Sequence, residues 1–169
     1  MKNTITLLVL FFNLTVLSAQ ELQLNYSDLE DGVLQLINEH RTTLKLTPLE
    51  KDVVLQKAAQ DQSNYMLKIK RLSHEQTSVE KKHPKNRIKF HGGTDFHTYG
   101  ENVLYLTVEP KKYAQSDLVL LAQKIYTEWE ISPPHYANMV SNEYAYASLA
   151  FAFDPKSRRL YATTVFGNK

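Results

Sequence analysis

Apolar residues recur along this chain at helical spacing in some stretches and gather in short strand-like runs in others. In residues 29–44, Val33, Leu36, Ile37 and Leu44 fall at steps of three, one and seven, with His40 among them, which places them on one face of a helix. Thr47-Pro48 breaks that helix, because proline has no N–H and pushes the residue before it out of helical geometry. A second helix is predicted from Pro48 to about residue 69, with Val54, Leu55, Ala58, Ala59, Gln62, Tyr65 and Met66 on its inner face. Ala58 and Ala59 are small enough to let a neighbouring element approach closely. The clearest helix covers 113–130, where Ala114, Leu118, Leu121, Ala122, Ile125 and Trp129 line one side. Ser132-Pro133-Pro134 stops it, and Ser132 can cap a short helix with Pro133 at its first position and His135 in its first turn.

Other stretches read as strands. Residues 101–108, 148–153 and 160–166 are rich in β-branched and aromatic side chains suited to a pleated surface. Asp154-Pro155-Lys156-Ser157-Arg158-Arg159 is turn chemistry, so the last two runs form an antiparallel hairpin. Between the second helix and the first strand, residues 75–98 are polar and rich in His, Lys, Gly and Thr, with a short helix expected at 84–90. A segment of that length inside a domain often carries function, and Gly92-Gly93 gives it freedom to fold over a cleft. Helices and then strands, without βαβ alternation, predict an α+β fold.

Composition narrows the class. Residues 1–20 read as a secretory signal peptide: Lys2, an apolar stretch from Leu7 to Phe12, and small residues near Leu17-Ser18-Ala19-Gln20. Asn13 and Thr15 interrupt the apolar run, which falls short of the ~20 residues of a spanning helix. No transmembrane segment is expected in the mature chain. The chain has no cysteine, which removes disulfides, thiolate metal sites, cysteine nucleophiles and cysteine-linked lipid anchors together. The net charge is +2. Basic residues concentrate only at Lys81, Lys82, Lys85, Arg87 and Lys89, read as a solvated loop; the sharper alternative is contact with an anionic surface. No aromatic residues interleave with them as stacking platforms, so nucleic acid is not an expected partner.

Five ordered fragments go further: Asn38-Glu39-His40-Arg41, Pro48-Leu49 with Ala58-Ala59 behind it, Leu72-Ser73-His74, Gly100-Glu101-Asn102, and Trp129 through Asn138. Together they resemble the CAP superfamily, which includes SCP-domain proteins, plant pathogenesis-related proteins and venom cysteine-rich secretory proteins. The resemblance spans residues 34–166, within a domain placed at 29–169. It implies a three-layer α-β-α sandwich with a mainly antiparallel central sheet. It also implies a cleft lined by two histidines and two acids, with His74, Glu101 and His135 at three of the four positions. Ser132 stands at the fourth, where many eukaryotic members have an acid. The Ser-Pro at that point and the missing cysteines resemble the bacterial branch.

Two neutral imidazoles and a carboxylate can hold Zn²⁺ or another borderline divalent ion, directly or with the carboxylate orienting a ring. They can equally do acid–base work without metal. His74, His135 and Glu101 are therefore the expected metal-binding and chemically active set. Glu130 and His97 are the candidates to complete it, whereas His83, His91 and His97 are otherwise read as solvent-facing and His40, Asn138 and Trp129 as structural. The resemblance implies a secreted or extracytoplasmic binding or interaction protein, with a small molecule, lipid or envelope component as partner. The alternative is a metal-assisted hydrolase of envelope or extracellular polymers. Neither Gly-x-Ser-x-Gly nor His-Glu-x-x-His occurs, which weighs against the enzyme.

Overall fold

The computed structural model describes residues 21–169, and the expected signal peptide, residues 1–20, lies outside the described residues. Helix α1 (Tyr26–Thr43) starts at Asn25, whose side-chain oxygen accepts from the N–H groups of Ser27 and Asp28. Helix α2 (Val53–Ile69) starts later than Pro48. Asp52 is its cap, accepting from Val54 and Leu55 N–H at 2.7 and 3.2 Å. Residues 48–52 are extended instead, because their backbone is used elsewhere: Glu50 N–H donates to Ala145 O at 2.9 Å and Glu50 O accepts from Ala147 N–H at 2.8 Å. Helix α3 (Pro84–Phe90) lies in the long polar segment, preceded by a single 3₁₀ turn (Val79–Lys81). Strand β1 (Thr98–Thr107), helix α4 (Gln115–Glu130) and helix α5 (Pro133–Met139) follow. Strands β2 (Tyr146–Asp154) and β3 (Arg159–Asn168) form the predicted hairpin.

The sheet is antiparallel throughout, in the order β1-β3-β2. Strand alternation divides its side chains between two cores. On one face, Leu104, Leu106, Leu149, Phe151, Leu160, Ala162 and Phe166 pack against Leu29, Val33 and Ile37 of α1 and Leu118, Leu121, Ile125 and Trp129 of α4. On the other, Ala150 and Val165 meet Leu55, Ala58 and Ala59 of α2 and Ile88 of α3, while Val103 and Tyr161 meet Met66. The result is three layers, helices on both sides of a three-stranded sheet, an α+β α-β-α sandwich. The two small residues Ala58 and Ala59 are fully buried where α2 crosses the sheet, as close approach requires. Gly93 is a packing point rather than a hinge: a Cβ there would come within 2.6 Å of Ile88 Cγ2 and 2.8 Å of Val54 Cγ1. Among the described residues, no helix is long and apolar enough to cross a membrane.

Candidate functional site

Two consecutive residues at the start of β1 hold the two halves of the site. Because neighbours on a strand point to opposite faces, Glu101 reaches the α2/α3 side and Asn102 the α4/α5 side. Glu101 Oε1 lies 2.9 Å from His74 Nδ1. Its other oxygen, Oε2, accepts from Nη2 of Arg87. The carboxylate and the guanidinium are both buried, with side-chain exposures of 2% and 0%, whereas the His74 side chain is 51% exposed. The glutamate is thus a buried support for an imidazole that faces outward.

His74 sits in irregular backbone past the end of α2, and three groups hold that backbone. The fully buried Gln62 donates from Nε2 to Ser73 O and accepts from Gln76 Nε2 at 3.1 Å. Ser73 Oγ donates to Glu75 O at 2.7 Å. Arg87 donates to the His74 carbonyl at 3.4 Å and to the carbonyls of Lys81 and Lys82 at 3.0 and 3.3 Å. By sequence Arg87 belongs with a solvated basic loop, and the structure reverses that reading for this residue. Its signal lies only in its position within α3, next to the core residue Ile88.

His135 is in the first turn of α5, as the Ser-Pro-Pro break predicts. Ser132 takes the extended cap conformation without a side-chain capping bond. Asn102 Nδ2 donates to the His135 carbonyl at 2.9 Å, and Asn138 Nδ2 donates to Asn102 Oδ1 at 2.8 Å and to Glu101 O at 3.4 Å. Arg41 adds a bond from Nη1 to Met139 O at 2.9 Å at the other end of α5. Gly100 makes room for this junction: a Cβ there would meet Tyr144 Oη at 2.6 Å and Asn138 Oδ1 at 2.8 Å. Burial pushes the His135 imidazole below its ordinary pKa, and the nearby charge of His74 pushes it the same way. His135 Nδ1 is buried and has no hydrogen-bond partner among the described residues.

The residues expected to complete the set lie elsewhere. Glu130 accepts from Tyr126 Oη at 2.7 Å and lies 4.0 Å from Nδ1 of His40, whose Nε2 is 3.0 Å from Tyr136 Oη. Burial first, and then Glu130, raise the Tyr126 phenol above its usual range. His97 is exposed and its N–H pairs with Asn168 O at 2.8 Å, four residues or about 13 Å along the strand from Glu101. His91 does not simply face solvent: its Nε2 lies 2.8 Å from Asp61 Oδ2, which Lys81 also reaches at 2.7 Å. Among the described residues, no three His, Asp or Glu side chains are grouped so as to hold a metal ion. The arrangement offers a carboxylate-backed imidazole at His74 and a second imidazole at His135 whose charged form burial disfavours.

A model of the CAP, cysteine-rich secretory protein family, matches residues 34–166. Among solved structures, the chain is similar to an outer surface protein from Borrelia burgdorferi, at 17% identity and a TM-score of 0.67, covering 85% of this chain and 93% of that one. It is also similar to an SCP-domain extracellular protein from Bacillus anthracis, at 18% identity and a TM-score of 0.64, over 85% of this chain and 41% of that one. A cysteine-rich secretory protein from Staphylococcus aureus is similar at 17% identity and a TM-score of 0.57, over 86% and 40%. The chain thus spans about two-fifths of the length of the latter two. No curated protein sequence matches. At these identities the structural likenesses establish the fold.

Proposed function

The chain belongs to the CAP family of cysteine-rich secretory proteins, and on that premise we propose that it is an extracytoplasmic binding protein whose ligand sits between His74 and His135. One observation carries this reading. Both oxygens of Glu101 are engaged, one by Arg87 and one by His74, so the acid orients a ring and the two Nε2 atoms are the groups left to meet a ligand. The extracellular neighbours support the compartment. The candidate ligands are a small molecule, a lipid or envelope component, or a divalent cation such as Zn²⁺. A cation would be held by the two Nε2 atoms with Glu101 behind His74, in the manner of a supporting carboxylate.

A hydrolase is the second reading, favoured by the 2.9 Å Glu101–His74 contact. A carboxylate on Nδ1 leaves Nε2 as a base within reach of water or a substrate proton. Metal-assisted hydrolysis requires more, since catalytic zinc ordinarily takes three protein ligands. Calorimetric titration of the mature chain with Zn²⁺, anionic lipid vesicles and soluble envelope polysaccharide, beside a His74→Ala/His135→Ala variant, tests the binding reading. Saturable binding that vanishes in the variant supports it. Binding that is unchanged in the variant, or absent with every probe, overturns it.

A further inference from the structure

The two imidazoles of the cleft carry their protons on different nitrogens. His74 Nδ1 faces Glu101 Oε1 at 2.9 Å. A carboxylate set against a guanidinium offers lone pairs only, so in the neutral ring the proton between them belongs to His74 Nδ1 and Nε2 presents the lone pair. His135 is the reverse. Its Nδ1 is buried without a partner among the described residues. A proton there would be a buried orphan N–H, which folded proteins tolerate less often than an orphan acceptor. On Nε2 the same proton can be met by solvent or ligand. Burial also disfavours the doubly protonated form of this ring.

A lone pair on one ring and an N–H on the other match a hydroxyl group. Its oxygen accepts from His135 and its hydrogen goes to His74. They match a chelated cation badly, because His135 would have to move its proton onto the buried nitrogen, a loss of roughly ten- to a hundred-fold in affinity. Tyr99 offers an aromatic surface on the Glu101 side of β1. It lies two residues before Glu101 on the same face of β1, and its ring is exposed. We infer that the cleft selects a neutral, hydroxyl-rich ligand of the saccharide type over a divalent metal, through His74 Nε2 as acceptor, His135 Nε2–H as donor and Tyr99 as platform. This deepens, and rests on, the reading of the cleft as a binding site.

Long-range ¹H–¹⁵N correlation on the ¹⁵N-histidine-labelled mature chain at pH 8 reads the tautomers directly, with no ligand needed. The expected result is Nδ1–H for His74 and Nε2–H for His135; the same tautomer in both rings overturns the inference whether or not anything binds. Addition of chitotetraose should shift both rings without changing either tautomer, and Tyr99→Ala should weaken that binding roughly three- to ten-fold while leaving the tautomers alone. Zn²⁺ that binds tightly and converts His135 to Nδ1–H overturns the preference for hydroxyls but leaves the binding reading standing. Rings that respond to neither probe overturn both.

Discussion

Replacing Arg87 with alanine should be among the most damaging single changes available in this molecule. The guanidinium is fully buried against a carboxylate that is 2% exposed. It also donates to the carbonyls of His74, Lys81 and Lys82. Removing it leaves Glu101 as a buried charge without its cation, and breaking a buried pair from one side costs about 3–5 kcal/mol. In a domain of this size each kcal/mol corresponds to about 2–4 °C, so the melting temperature should drop by about 10 °C. Replacing both partners is a different perturbation. Arg87→Met with Glu101→Leu removes both charges and keeps most of the volume, and should recover the greater part of the loss. Urea unfolding of the wild type, both single variants and the double closes the cycle. Hydrogen exchange at residues 74–83 should rise in Arg87→Ala, since those carbonyls lose their common donor. A single-variant cost under about 1 kcal/mol, or a double variant no better than the sum of the singles, would refute the account of Arg87 as the buried anchor of the site.

Other outcomes follow from the same geometry. Asn102→Ala removes the bond to the His135 carbonyl and the partner of Asn138, and should cost about 1–3 kcal/mol; faster exchange confined to α5 checks it, and unchanged protection there sinks it. Gly100→Ala should cost a similar amount, about 1–3 kcal/mol, by overpacking against Tyr144 and Asn138, with a Tyr144→Phe background giving back part of the loss in thermal melts. Because folding lowers the His135 pKa, the unfolded chain binds more protons there. Stability from this residue is therefore complete above the unfolded value near 6.5 and declines as pH falls below it toward the folded value. Wild type should lose more stability than His135→Asn between pH 8 and pH 5; parallel pH profiles would contradict this.

The helices are legible in the sequence because their side chains repeat at the helical period, and the hairpin because two runs of strand-forming residues flank a turn. Ala114 to Trp129 marks α4, and the Ser-Pro-Pro stop places α5 and His135 to the residue. The start of α2 is not, since Pro48 looks like a first helical residue and only the pairing of Glu50 with Ala145 and Ala147 shows that this backbone is committed to the sheet edge. His74, Glu101 and His135 can be named from their motif neighbours. Arg87, Gln62 and Asn102 cannot be assigned to the site that way, because their role consists of contacts across 14, 11 and 33 residues that no local pattern encodes. The same holds for Glu130, which by sequence faces solvent or turns toward the cleft, and is found bonded to Tyr126.

Sequence alone determined the elements, their order and the family, and named His74, Glu101 and His135 as candidates, since periodicity, proline stops and short motifs are properties of neighbouring residues. Tertiary structure decided what the acid does. The fold delivers a buried guanidinium from α3 to one oxygen of Glu101 and an imidazole to the other, contacts that no run of neighbouring residues encodes. It also decided the surroundings of His135, because only packing buries its Nδ1 without a partner among the described residues.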